Sequence, residues 1–142
     1  QIANTLSRKA DFFVSIHFDW SSNPAAKGTW AFYHNAITYL RDGRISETPS
    51  RLGKPLADCL VRNVVRMAGT NNRGIAPRPM YKNGKRVEGQ LYVLRHTLPW
   101  AALIEICFLS NPEDEANALK DDFRRKVILG LADGIEEWGR EI

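Results

Sequence analysis

Residues 101–109 are an apolar run of strand length broken by one carboxylate, Glu105. A run that apolar reads as a strand buried on both faces. An ionised carboxylate inside such a strand is costly unless it meets a metal, a cation or hydrogen-bond donors. The run stops at Ser110-Asn111-Pro112, where Asn suits a helix cap and Pro the first helical position. Glu113, Asp114 and Glu115 follow, where negative charge suits the start of a helix. Glu105 thus sits just before the C-terminal end of a buried strand, near where ligands gather in open α/β sheets. It is the candidate for the chemistry; the alternative is a structural carboxylate paired with Arg95 or His96. His17 closes an earlier strand-like stretch, immediately before a polar loop. Read alone, it is either a metal-binding imidazole aimed by a rigid strand end or a histidine satisfied by ordinary hydrogen bonds.

The elements that position these two residues follow from periodicity. Residues 10–17 (Ala-Asp-Phe-Phe-Val-Ser-Ile-His) are β-branched and aromatic and predict a strand, as do residues 28–34. Between them, residues 19–27 are rich in turn formers and read as a loop. Residues 1–10 read as the end of a helix feeding the first strand, and Asp42-Gly43 marks a small hairpin or an irregular excursion. Residues 50–68 predict a helix with Leu52, Leu56, Leu60, Val64 and Met67 at helical spacing. Its start is either a Ser50 cap or Pro55 as first residue, and Gly69 ends it. A loop rich in Pro, Lys and Gly is expected over 77–89, a third strand over 92–95 and the fourth over 101–109. A short helix over 112–120 and a longer one from Asp122 to the end complete the chain, the latter striped by Phe123, Val127, Leu131, Ile135 and Trp138. Strands alternating with helices argue for an α/β sandwich, one sheet covered on both faces.

With 142 residues, 44% hydrophobic and 25% charged, the chain has the size and composition of one ordinary globular domain. No apolar run approaches the length needed to span a bilayer, and the N-terminus has no signal-peptide core. The net charge of +4 implies mild attraction to polyanions, but no basic–aromatic signature of nucleic-acid binding accompanies it. The two cysteines, Cys59 and Cys107, fall in a helix and a buried strand, so buried thiols are expected rather than a disulfide. Without a Cys-x-x-Cys, a thiolate zinc site is not expected.

The order Leu-Arg, Pro, Ile-Glu105, Phe-Leu-Ser-Asn111 and an acidic helix start closely resembles the closing motif of the zinc-dependent N-acetylmuramoyl-L-alanine amidases of type 3. The stretch ending in His17 resembles that family's strand with a zinc-binding histidine, and Asn72-Arg73-Gly74 resembles its Asn-Arg-Gly landmark. The resemblance runs from about Gln1 to near Leu119. It departs at Cys107, where the family pattern usually has glycine; a small side chain is kept.

What this resemblance implies is a three-layer α/β sandwich, zinc-exopeptidase-like, with a twisted, mostly parallel or mixed sheet and helices on both faces. His17 becomes a Zn²⁺ ligand and Glu105 the general base and acid that takes a proton from water and returns it to the leaving amine. The expected reaction is hydrolysis of the amide between N-acetylmuramic acid and L-alanine of the peptidoglycan stem peptide. The family draws a further histidine and a glutamate ligand from before the equivalent of Gln1. Residues 1–142 are therefore expected to be a single amidase catalytic domain whose N-terminal portion is missing, with an incomplete zinc site. His34, Asp19 and His96 are the substitute donors within the chain; His34 is expected to lie at the surface, at the end of a parallel strand. An exposed sheet edge, association through it, and a cell-envelope, secreted or phage-endolysin setting follow from the same reading. Gly74 is expected in a tight turn and Arg73 paired with a carboxylate. Trp20, Trp30 and Trp100 either stack on sugar rings or pack at the core and rim. The rival functions are a degenerate, non-catalytic peptidoglycan-binding module and a zinc exopeptidase-type hydrolase.

Overall fold

A computed structural model of the chain describes residues 10–34, 38–39, 45–46, 48–78, 80–82, 85–88, 91–97 and 99–142. Its centre is a four-stranded sheet built from β1 (Phe12–Asp19), β2 (Thr29–His34), β5 (Asn72–Arg78) and β8 (Trp100–Phe108), in the order β1-β8-β2-β5. The most apolar strand, β8, takes an interior place, as its composition requires. β1 runs parallel to β8, β2 antiparallel to β8, and β5 parallel to β2. The sheet is therefore mixed. The C-terminal ends of β1 and β8 lie at the same edge as the N-terminal ends of β2 and β5.

Side chains alternate across β8 with the period of a strand. Ala102, Ile104 and Ile106 enter the larger core, beneath α1 (Thr48–Ala68) and α4 (Asp121–Glu141). Ala101 and Leu103 face the other way, into a smaller cluster with Phe32 and Leu94. Leu56, Leu60 and Val64 of α1 and Phe123, Val127, Leu131 and Trp138 of α4 are buried, as the helical spacing predicts. The two helices approach closely at Gly130 and Gly134. A Cβ on Gly130 would stand 2.7 Å from Val64 Cα, and one on Gly134 2.9 Å from the Cys59 carbonyl oxygen. Trp138 then sets its edge against Phe12 and Trp100, with ring centroids 5.4 and 5.6 Å away, fixing α4 over the start of β1 and β8.

Beyond β8, α3 (Pro112–Ala118) begins as predicted. Asn111 caps it, its side-chain oxygen accepting from the N–H groups of Glu113 and Asp114 at 3.1 Å. Helix α1 begins at Thr48, ahead of both expected starts, and carries Pro55 in its interior. An interior proline costs about 3 kcal/mol. Burial of the neighbouring Leu56, Ala57 and Leu60 offsets it.

Two expectations are corrected. Residues 92–95 are not a strand but one helical turn, α2 (Tyr92–Arg95). The N–H groups of Leu94 and Arg95 donate to the Leu91 carbonyl and Thr97 Oγ1 donates to the Val93 carbonyl, so local bonds satisfy the backbone. The turn buries Leu94 on the second face of the sheet, and that packing outweighs the β preference of a four-residue segment. The expected loop over 77–89 begins inside strand β5 and continues as a hairpin of β6 (Met80–Lys82) and β7 (Lys85–Glu88). β5 pairs only with β2 among the described strands, and an edge strand accommodates Pro77, which has no N–H to donate. The short strands β3 (Thr38–Tyr39) and β4 (Ile45–Ser46) pair antiparallel on either side of the expected Asp42-Gly43 turn, which itself lies outside the described residues. The helix expected before the first strand also lies outside them. The architecture is a three-layer α/β sandwich: α1 and α4 on one face, the mixed sheet, and α2 on the other.

Candidate functional site

His17 and Glu105 are partners in the β1–β8 register. Adjacent strands lie about 5 Å apart. Glu105 shares strand parity with Ala101 and Leu103, which places it on the second face, away from α1 and α4. His17 leaves the same face of β1 as Ser15, whose Oγ lies 2.7 Å from His17 Nε2. Across β8, Trp30 of β2 is the antiparallel partner of Glu105.

The ladder then changes step. A step of two residues along β1, from His17 to Asp19, matches a step of three along β8, from Glu105 to Phe108. This bulge sends both Ile106 and Cys107 into the helix-side core and returns Phe108 to the face of Glu105, stacked on Trp30 with centroids 6.2 Å apart. A small residue is needed at 107 because it is enclosed beneath the helices; Cys107 is fully buried, its Sγ 3.8 Å from the Asp114 carbonyl oxygen.

Around this pair the charges are unevenly answered. Asp19 accepts from Trp30 Nε1 at 2.8 Å and from the Trp20 N–H at 2.7 Å. Glu105 Oε2 is buried with no hydrogen-bond partner among the described residues. Burial, and secondarily the nearby Asp19 charge, push the Glu105 carboxyl up to about 7. A carboxyl so placed exchanges a proton near neutral pH, which is what acid–base chemistry requires.

The turn after β8 works as a clasp on the loop that follows His17. Leu109 N–H donates to the Asp19 carbonyl at 2.9 Å, Ser21 N–H to Ser110 Oγ at 2.9 Å, and Asn111 Nδ2 to the Pro24 carbonyl at 2.7 Å. Asp114, buried, accepts from the N–H groups of both Gly28 and Phe108 at 2.9 Å. The Phe-Leu-Ser-Asn segment and its acidic follower thus fix the ends of β1, β8 and β2 relative to one another.

The other sequence candidates divide. Asp19 lies at the site. His34 does not, and it is not at the surface: it is 1% exposed. Because β2 runs antiparallel to β8, with Tyr33 opposite Ala102, His34 lies at the opposite end of the sheet from His17. His96 is exposed beside α2 with its ring 4.3 Å from that of Tyr92. Arg73 makes no carboxylate pair among the described residues; its guanidinium lies over Phe108 and Trp30, 4.9 and 5.2 Å from the ring centroids. Gly74, expected in a tight turn, instead lies inside β5 at a bulge in the β2–β5 ladder, with φ +76° and its N–H donating to Asn72 Oδ1 at 2.7 Å. Trp100 is core packing, Trp30 is the floor of the site, and Trp20 is 72% exposed.

Both cysteines are buried free thiols; burial pushes Cys59 up to about 11 and Cys107 up to about 12, so neither presents a thiolate. Among the described residues, the one grouping of three potential metal donors is Cys59, Glu137 and Glu141, on the helix side. There Glu137 already accepts from Asn63 at 2.5 Å and Arg62 at 2.9 Å, a network of hydrogen bonds and an ion pair between helices. Among the described residues no third donor completes a set with His17 and Glu105.

The chain is similar to known proteins in sequence and, where a solved structure is compared, in fold. It is 30% identical to the endolysin of Bacillus phage SPP1 over 129 residues, covering 91% of this chain and 40% of that protein. It is 25% identical to the N-acetylmuramoyl-L-alanine amidase AmiC of Neisseria meningitidis serogroup B, covering 97% of this chain and 38% of that one. The catalytic domain of CwlV, an N-acetylmuramoyl-L-alanine amidase from Bacillus (Paenibacillus) polymyxa var. colistinus, superposes with a TM-score of 0.72 at 28% identity, covering 97% of this chain and 63% of that domain. The chain spans about two fifths of the length of these two curated relatives. The family model described as N-acetylmuramoyl-L-alanine amidase matches residues 1–137, nearly the whole sequence, with both Glu105 and His17 inside the match. The chain belongs to the type 3 N-acetylmuramoyl-L-alanine amidase family.

Proposed function

We propose that this chain is the C-terminal part of a peptidoglycan hydrolase domain, cleaving the amide between N-acetylmuramic acid and the L-alanine of the stem peptide. The observation that carries the reading is the buried, unpartnered Glu105 Oε2 beside His17 on the parallel neighbour strand. A carboxylate pushed up to about 7, with one oxygen that meets no donor among the described residues, is poorly explained as a structural ion pair. It is well explained as a base waiting for a water.

The donor set fits zinc in part. His17 offers an imidazole at a strand end fixed by the clasp, and Ser15 orients its ring. A catalytic zinc takes about three protein ligands. In our reading His17 is one of them, and the others come from a segment of the longer protein preceding Gln1. A zinc ion held there by His17 and those further ligands would supply Lewis-acid chemistry, polarising the scissile carbonyl and acidifying water. Glu105 takes the proton of the attacking water at Oε2 as the new C–O bond forms. It then delivers that proton to the amide nitrogen as the C–N bond breaks, releasing the alanine amine and the lactyl carboxylate. A carboxyl titrating near neutrality is suited to both halves of that exchange. Asp19 holds Trp30 in place by its hydrogen bond and keeps the Glu105 proton affinity high.

The substrate is peptidoglycan and the setting the cell envelope, or an infected cell's wall for a phage enzyme. The family, and relatives named as an amidase and an endolysin, support this reading. No helix among the described residues is long and apolar enough to cross a membrane.

The test is hydrolysis by the full-length, zinc-supplemented protein. Muramoyl-peptide should release a peptide with a free alanine amino group, while plain alanyl peptides should remain intact. Cleavage of plain peptides alone would identify an exopeptidase-type hydrolase instead. Tight binding of peptidoglycan without amine release would identify a degenerate binding module.

A further inference from the structure

Arg73 stands out because its charge is held in place yet meets no carboxylate among the described residues. The β2–β5 register breaks beside it: Thr29 pairs with Asn72 and Ala31 with Ile75, so β5 carries one extra residue. Gly74, at φ +76°, makes that bulge sterically free, and Asn72 Oδ1 closes it. The guanidinium of the exposed Arg73 is placed over the rings of Phe108 and Trp30. Ring faces orient a guanidinium without using its N–H donors. By contrast, Arg62 and Arg66 spend theirs on Asp58, Glu137 and Asp133.

Trp30 is shared between the two ends of the site. One side carries Arg73; its indole N–H is bound by Asp19, and its strand partner is Glu105. The site face is therefore bipolar, with proton-accepting carboxylates toward β1 and β8 and an oriented cation toward β5. Two strand spacings, about 10 Å, separate β8 from β5, and the Arg73 guanidinium, lying over Trp30 and Phe108, shortens that reach toward Glu105. An extended peptide advances about 3.5 Å per residue. An anionic group about two residues beyond a carbonyl seated at Glu105 would reach the Arg73 fork.

We propose that Arg73 is a specificity-determining residue that binds a carboxylate of the substrate's peptide, about two residues from the scissile amide. The proposal rests on the amidase reading above and deepens it. Arg73 takes no part in bond making; it selects and seats an acidic peptide, by paired N–H donation to both carboxylate oxygens.

The experiment compares two synthetic muramoyl-tripeptides that differ only in whether the second residue carries a free carboxylate or its carboxamide. The full-length, zinc-loaded protein should prefer the carboxylate substrate by about ten- to hundredfold in kcat/KM, the range of a charged bidentate contact. Arg73→Ala and Arg73→Gln should collapse that ratio to near one, with Arg73→Lys in between. A parallel titration calorimetry experiment uses N-acetyl-alanyl-glutamate alone, which tests the anion site without hydrolysis. Its affinity should fall at least tenfold in Arg73→Gln at unchanged melting temperature. A wild-type protein indifferent to the carboxylate, or variants that slow both substrates equally, would overturn the proposal while leaving the amidase reading intact. If neither muramoyl substrate is cleaved, the amidase reading fails, and the titration decides the site separately. Arg73-dependent binding of the dipeptide then supports it, and equal binding by wild type and Arg73→Gln overturns it.

Discussion

Trp30 Nε1 donates to Asp19 Oδ2 at 2.8 Å, and through that bond a residue of β2 fixes the carboxylate that faces Glu105. Asp19 carries a negative charge toward a half-buried glutamate that is already desolvated, and the two effects raise the same proton affinity. Replacing Asp19 with Asn keeps an acceptor for the indole and removes the charge. The Glu105 carboxyl should then titrate lower, so the rising limb of the kcat/KM profile should move to lower pH. A profile unmoved by Asp19→Asn would show that Asp19 does not act on the base.

The raised affinity also has a stability signature. A carboxyl held at about 7 in the fold and at its ordinary value of about 4.5 when unfolded binds more protons in the folded state between those values. Its contribution to stability is fully present below about pH 4.5 and is lost as pH rises through about 7. Glu105→Gln removes that dependence. In metal-free protein the melting temperature of Glu105→Gln, relative to wild type, should therefore become more favourable from pH 5 to pH 8. A constant difference across that range would contradict the burial of an unpartnered carboxyl.

Asp114 holds two buried backbone N–H groups, those of Gly28 and Phe108. Asp114→Ala orphans both, at about 1–3 kcal/mol each. Chemical denaturation should register a loss of about 2–4 kcal/mol. Asp114→Asn, which retains an acceptor oxygen, should lose less.

The helix contact at Gly134 leaves no room for a methyl group beside the Cys59 carbonyl and Leu60 Cα. Gly134→Ala should cost about 1–3 kcal/mol by overpacking, despite the better helix propensity of alanine. Gly139→Ala on the same helix, where a Cβ meets nothing within 4 Å, should be neutral or stabilising.

Much of this was legible in the residues, for physical reasons. The apolar run around Glu105 could only be an interior strand, and Asn111-Pro112 could only open a helix well. The stripe from Phe123 to Trp138 repeats over enough turns to fix both helix and face. Tyr92–Arg95 reads as a strand because four residues carry too little periodicity; the burial of Leu94 decides its turn. β5 is hidden in the sequence because Pro77 suggests a loop, whereas an edge strand has no need of that N–H. The hairpin after it had a signal in the Asn83-Gly84 dipeptide between Lys82 and Lys85, a composition suited to tight β-turns. Strand direction was not readable at all. It places His34 at the far end of the sheet and brings Trp30 beside Glu105. Only the β8 bulge, which no composition announces, puts Phe108 rather than Cys107 on the site face.

The most direct test is Glu105→Gln in the full-length protein, with turnover of muramoyl-peptide and bound zinc measured on the same preparation. Loss of a positioned general base costs on the order of 10²–10⁴ in rate. kcat should fall by that much with zinc occupancy retained, while His17→Ala should lose zinc and activity together. Near-normal turnover by zinc-loaded Glu105→Gln would contradict the role of Glu105 as the base.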